Sequence, residues 1–133
     1  TNDLELSGSV EFRPIVSQQE LSAIYQQTDI CFFTSYFKTG FSRVPLEAMA
    51  SGCLVITYGN EGSKESVQHA ETGLILNEGD FIGAADWIEK LITDRIFYLE
   101  IIENARNYVE NNFSMETYIS QIDTYLRKSL QNN

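Results

Sequence analysis

The 133-residue chain is poor in cysteine, proline, histidine and tryptophan, with two, two, one and one of each. Two thiols cannot build the multi-bridge framework of a small secreted domain. Cys31 and Cys53 also lack the close spacing of metal ligands. Each opens an apolar stretch, the setting of a buried free thiol. No apolar run nears the roughly 20 residues that a membrane-spanning helix needs. The first residues, TNDLELSG, have neither the basic flank nor the apolar centre of a signal peptide. Cations are scarce as well: nine Lys and Arg stand against nineteen Asp and Glu, a net charge of −10. Nucleic acids and anionic membranes are recognised by a basic footprint, so neither is an expected partner. The one histidine, His69, sits in a turn away from cysteine and acidic clusters, and no ligand or catalytic role is expected of it.

What remains is the composition of a soluble, globular α/β domain, 43% hydrophobic and 21% charged, of a length that fits one unit over residues 1–133. Residues 4–16 read as extended, with Val10 and Phe12 alternating around Glu11. Ser17 and Glu20 form a capping box that starts a helix with Leu21, Ile24 and Tyr25 on its apolar face. Asp29–Phe33 and Leu54–Thr57 are continuous apolar runs without alternation, so both are expected to be parallel strands buried on two faces. A helix from Arg43 to Ser51 joins them. Ser42 is its N-cap, Pro45 falls in its first turn and Gly52 ends it in a left-handed conformation. Strand, helix and strand make a βαβ unit.

Ser63 is expected to cap a short helix to about His69, and Thr72-Gly73 turns into a third strand, Leu74–Leu76. Asp80, Asp94 and Ser114 then cap three helices. Their apolar stripes run through Phe81, Ala84, Ala85, Ile88, Leu91 and Ile92, then Ile96, Phe97, Leu99, Ile101 and Ala105, then Tyr118, Ile119, Ile122, Tyr125 and Leu126. Trp87 is expected on a helix surface or at an interface. The whole is a Rossmann-like parallel sheet flanked by helices. Three strands and the segment near Val10 fall short of the about six of a doubly wound domain. The first strands are therefore expected to be missing from this chain. An open sheet edge would then invite a homo-dimer or contact with the rest of a longer protein.

Open parallel sheets bind ligands at the carboxyl ends of their strands. The loops there are 34–42, 58–62 and 77–80. Gly40-Phe41-Ser42 runs straight into a helix start, whose unpaired N–H groups suit a phosphate or a sugar hydroxyl. Glu47, on the second turn, can accept two hydrogen bonds from a vicinal diol, or serve as an ordinary solvated carboxylate. Gly59 and Asn60 offer approachable backbone, or ordinary turn chemistry. Arg43 and Lys64 lie at the same edge and can neutralise a diphosphate, or serve as solvated helix residues, and Glu65 can reach the ligand or only favour its helix start. Tyr36 and Tyr58 are aromatics that can stack on a base or a sugar. These residues point to a small anionic or polyol ligand.

The run Gly40-Phe41-Ser42-x-x-Pro45-Leu46-Glu47-Ala48-Met49-Ala50-x-Gly52-x-Leu54-Val55-Ile56 resembles the donor-binding signature of the retaining GT-B glycosyltransferases of family 4, the glycosyltransferase group 1 domain. Further likeness runs through Glu20-Leu21, Asp29-Ile30, Gly59 to Glu65, Thr72-Gly73-Leu74 and Asn112-Phe113-Ser114, and covers roughly residues 9–128. The resemblance implies the carboxy-terminal, nucleotide-sugar-binding half of an enzyme that moves a hexosyl group to a glycan or lipid acceptor with retention. It implies no cofactor and no metal, a separate amino-terminal domain, and a cytoplasmic place at the inner face of a membrane. It assigns Glu47 to the ribose hydroxyls, and the backbone of Gly40, Phe41 and Ser42 to the donor sugar or diphosphate. The first Glu of the family's Glu-x7-Glu pair is replaced here by Thr39, which brings no charge. Lys38, beside it, does not replace that carboxylate. A catalytically inactive module that binds a nucleotide or sugar, or a binding partner, is the alternative that this departure raises.

Overall fold

The computed structural model describes residues 8–34, 41–59 and 61–131, for Glu61 the backbone only. The elements run α1 (Gln18–Gln26), β1 (Ile30–Phe33), α2 (Arg43–Ala50), β2 (Leu54–Tyr58), α3 (Glu61–Ser66), β3 (Leu74–Leu76), α4 (Phe81–Thr93), α5 (Arg95–Phe113) and α6 (Met115–Gln131). The described strands form one parallel sheet in the order β1-β2-β3, with Ile30 opposite Leu54 and Ile56 opposite Leu74. The α/β class and the βαβ unit are as the sequence implies. The extended segment near Val10 adds no strand: residues 10–16 lie outside the sheet, and Phe12 and Ile15 are exposed.

β2 is the central strand and is buried along its whole length. Its alternate residues feed two cores. Leu54, Ile56 and Tyr58 pack with Leu74, Leu76, Ala84, Leu91, Tyr98 and Ile101 on one side. On the other, Val55 and the adjoining Cys53 meet Leu46, Ala48, Met49, Val67 and Ala105. β1 carries the same kind of apolar sequence but pairs only with β2 among the described residues. Its Phe32 is 39% exposed. The expected two-sided burial therefore holds for the central strand and not for the edge strand.

The caps behave as side-chain chemistry dictates. The Ser17 hydroxyl accepts from the Glu20 N–H, and the Glu20 carboxylate accepts from the Ser17 N–H at 2.9 Å. Asp80 accepts from the Gly83 N–H at 2.9 Å and Asp94 from the Phe97 N–H at 3.0 Å. The Ser114 hydroxyl accepts from the Thr117 N–H at 3.1 Å. Gly52, at φ +84°, closes α2 in the left-handed region. Ser63 differs from expectation. α3 begins at Glu61, so Ser63 is a buried residue inside the helix, where it receives a hydrogen bond from the Thr57 hydroxyl at 3.0 Å.

The long helices bury less than their stripes imply. On α4 and α5 only Ala84, Leu91, Tyr98, Ile101 and Ala105 are buried, and Phe81, Ile92, Ile96 and Leu99 remain exposed. α6 buries no residue: Tyr118, Ile119, Ile122, Tyr125 and Leu126 all lie open on an amphipathic helix. Trp87 is partly buried, stacks on Phe97 and carries the Lys90 ammonium 4.7 Å from its ring centre. His69 has a structural task, since its Nδ1 accepts the Ile75 N–H at 3.0 Å and so ties the turn to β3. Both cysteines are free. Burial pushes the Cys31 thiol up and the Cys53 thiol up to about 12, which keeps both protonated and unreactive near neutral pH.

Candidate functional site

Two strand ends and one helix make the carboxyl edge of the sheet. β1 and β2 run parallel and in register, so the chain leaving Phe33 and the chain leaving Tyr58 emerge side by side. α2 starts at that edge. Its first turn is set by Ser42 in an extended conformation and by Pro45, which is buried. The Ser42 hydroxyl makes no capping bond to the helix, so the opening amides of α2 are not satisfied by their own N-cap. α2 is held from below: Pro45, Leu46, Ala48 and Met49 are buried, and the helix packs on α5, β1 and β2. Arg43 is exposed at the helix start.

Glu47 is half-buried. It lines a cavity of about 210 Å³ between α1 and α2, with Gln18, Leu21, Ser22 and Tyr25 as the opposite wall. Burial raises the Tyr25 hydroxyl above its usual range, and the nearby Cys31, Glu47 and Cys53 oppose its ionisation further. α1 is thus a wall of the site. α1 is not among the elements that the sequence assigns to the site, although the spacing of Gln18, Ser22 and Tyr25 along one helix face carries the signal.

Gly59 lies just past β2, where its N–H donates to the Leu76 carbonyl at 3.0 Å. A Cβ at this position would stand 3.0 Å from Ile75 Cγ2 and 3.2 Å from Lys64 Cε. Glycine here leaves room for both side chains, and Lys64 is brought to the same strand end. Tyr58 does not serve the site as a stacking aromatic. It is the last residue of β2, 3% exposed, and its ring meets Phe32 edge-on at 5.8 Å. Phe41 also turns away from the opening of the site. It stacks on Phe113 at 5.6 Å and thereby fastens the start of α2 to the joint between α5 and α6. The two motifs, 72 residues apart, meet in space, which neither shows alone.

Tyr36, Lys38, Thr39, Gly40 and Asn60 lie outside the described residues, and the side chain of Glu61 with them. The edge therefore brings together Ser42, Arg43 and Glu47 on α2 and Gly59 and Lys64 after β2. A larger cavity, about 660 Å³, opens at the other end of the sheet beside Asp29, Ile30, Arg95 and Tyr98. There the Tyr98 hydroxyl donates to the Asp29 carbonyl at 3.2 Å. It is roomier, yet it sits at the amino end of β1, away from the strand ends where open parallel sheets bind ligands. Among the described residues no group of three His, Cys, Asp or Glu side chains is placed to hold a metal ion. No described helix is long and apolar enough to cross a membrane.

Known proteins are similar to this chain in sequence and in fold. The capsular polysaccharide biosynthesis glycosyltransferase CapM of Staphylococcus aureus is 36% identical over 111 residues, which is 80% of this chain and 29% of that protein. The N-acetyl-alpha-D-glucosaminyl L-malate synthase of Bacillus anthracis is 33% identical over 107 residues, 80% of this chain and 28% of that protein. Among solved structures, HepE of Anabaena in complex with UDP-glucose superposes with a TM-score of 0.82 at 26% identity, over 96% of this chain and 34% of that one. The sucrose-phosphate synthase of Thermosynechococcus elongatus does so with a TM-score of 0.84 at 26% identity, over 99% of this chain and 33% of that one. The chain thus spans about a third of each of these relatives or less. Residues 1–108 match the family described as glycosyl transferases group 1, and the chain belongs to that family.

Proposed function

We propose that this chain is the donor-binding part of a retaining glycosyltransferase that moves a hexosyl group from a nucleotide diphosphate sugar to a glycan or lipid acceptor. The observation that carries the reading is the β1-α2-β2 edge, where a half-buried Glu47 stands on the helix that starts at the strand ends. In this reading Glu47 accepts the ribose hydroxyls. The opening amides of α2, from Phe41 through Arg43, and the backbone at Gly59 and Asn60 face the sugar and diphosphate. No metal and no cofactor take part. The leaving diphosphate is stabilised by helix-start amides and basic side chains, some of them outside this chain. A cytoplasmic place at the inner face of a membrane goes with such a donor and a lipid or glycan acceptor.

Relatives about three times as long support a further part of the reading: the acceptor side belongs to a separate amino-terminal domain. The edge of β1 that pairs with no described strand and the apolar face of α6 are surfaces that the rest of the intact protein covers. The 133-residue chain alone, with both surfaces uncovered, is expected to self-associate at micromolar concentration, and Ile122→Glu on α6 is expected to reduce this. Light scattering checks it; a monodisperse monomer would count against the covered-face reading.

The second reading, a module that binds without catalysis, rests on Thr39 in place of a carboxylate. Titrating UDP, GDP and ADP into the intact protein, with Glu47→Ala as control, tests the first reading. If none binds above background, it fails. Turnover raised by Thr39→Glu identifies a weakened enzyme, and nucleotide binding without turnover in either form favours the second.

A further inference from the structure

Lys64 stands in the last turn of α3 and is exposed, yet its chain lies along the strand end rather than apart from it. Its Cε lies 3.2 Å from the point that a Cβ on Gly59 would occupy, so its methylenes fold back across that glycine. Ile75 Cγ2 lies 3.0 Å from the same point and walls the other side. The ammonium is thereby carried to the ends of β2 and β3. A Cβ at residue 59 would push the lysine chain outward by a few tenths of an ångström, and a longer side chain would push it further.

Among the described residues no carboxylate forms an ion pair with the charge delivered there. Among the described residues the ion pairs are Arg13 with Glu11, Arg106 with Glu110 and Arg127 with Asp123, and Lys64 takes part in none. In a chain of net charge −10, a cation held by packing at the carboxyl end of the central strand is an exception to its surroundings. It complements an anion arriving at that edge.

We propose that Lys64, seated over Gly59, contacts the diphosphate of the nucleotide donor and so reads the charged part of the ligand. This deepens the reading of the edge as a nucleotide-sugar site and rests on it. The ammonium stabilises the negative charge that gathers on the diphosphate as its bond to the sugar breaks. Arg43, at the start of α2, is the second exposed cation at this edge.

The test compares UDP, GDP and ADP with uridine, guanosine and adenosine on the intact protein, for the native form, Lys64→Met and Lys64→Arg. Lys64→Met keeps the methylenes over Gly59 and removes only the charge. It is expected to weaken binding of the preferred nucleoside diphosphate about tenfold, to leave the nucleoside unchanged, and to flatten the salt dependence. Lys64→Arg is expected to restore binding in part, and Gly59→Ala to mimic the loss while still unfolding cooperatively. Nucleoside diphosphate binding by Lys64→Met within twofold of native overturns the assignment and leaves the site reading intact. Failure of the native protein to bind any diphosphate removes both.

Discussion

Gly73→Ala is expected to lower the unfolding midpoint by roughly 10 °C, the consequence of about 3 kcal/mol in a domain of this size. A Cβ on Gly73 would stand 2.8 Å from the Val55 carbonyl oxygen and 2.9 Å from Val67 Cγ1. Val55 belongs to the fully buried central strand, so its carbonyl cannot retreat. The glycine is there because β3 must close on β2 immediately after a tight turn. The Ala70 N–H donates to the Gly73 carbonyl at 2.8 Å, and Leu74 is already opposite Ile56. Gly79→Ala provides the contrast. That residue has φ +78° and open space around it, so its cost is conformational only, about 1 kcal/mol. Val67→Ala in the Gly73→Ala background is expected to recover part of the loss, because it removes one of the two clashes. Thermal denaturation followed by circular dichroism measures all four proteins. A Gly73→Ala midpoint no lower than that of Gly79→Ala would contradict the register of β2 and β3 described here.

Glu47→Ala is expected to leave stability nearly unchanged and to weaken nucleotide binding by the intact protein about 10–100-fold, the worth of two charge-assisted hydrogen bonds. The structural contribution of this residue lies in its backbone. Its carbonyl accepts the Ser51 N–H at 3.2 Å and the Ser51 hydroxyl at 2.8 Å, and both bonds survive the substitution. Alanine is also the better helix former. A loss of binding therefore reports on the carboxylate and not on α2. Glu47→Gln keeps the shape and some acceptor capacity without charge, and is expected to fall between the two. Calorimetric titration together with the unfolding midpoint separates the effects. A large fall in midpoint with unchanged affinity would assign Glu47 to packing in the groove it shares with Leu21 and Tyr25.

Local chemistry was legible where it is self-contained. The Ser17 and Glu20 capping box, the Asp80 and Asp94 caps and the left-handed Gly52 each involve neighbours in sequence, and all lie where the sequence puts them. The strand cores were legible because a continuous apolar run has few alternatives. Partnership was not. Ile30–Phe33 and Leu54–Tyr58 read alike, yet only the second has neighbours on both edges, which leaves Phe32 partly open. α6 reads as amphipathic and is so, but an apolar stripe does not say whether its partner lies in the same chain. Helix starts, turn chemistry and resemblance single out Glu47, Arg43, Ser42 and Gly59, and the fold sets them along one sheet edge. The stacking of Phe41 on Phe113, the burial of Tyr58 and the α1 wall were missed, because each depends on residues distant in sequence meeting across the fold. The extended segment near Val10, which the sequence sets beside the strands, joins no sheet. Two alternating residues before a proline resemble a strand whether or not one forms.

The most direct measurement is a crystal structure of the intact protein with whichever nucleoside diphosphate binds it. The ribose hydroxyls are expected within hydrogen-bonding distance of the Glu47 carboxylate, and the diphosphate over the start of α2, at the carboxyl ends of β1 and β2. A nucleotide found instead in the cavity beside Asp29, Arg95 and Tyr98, at the amino end of β1, would contradict this placement.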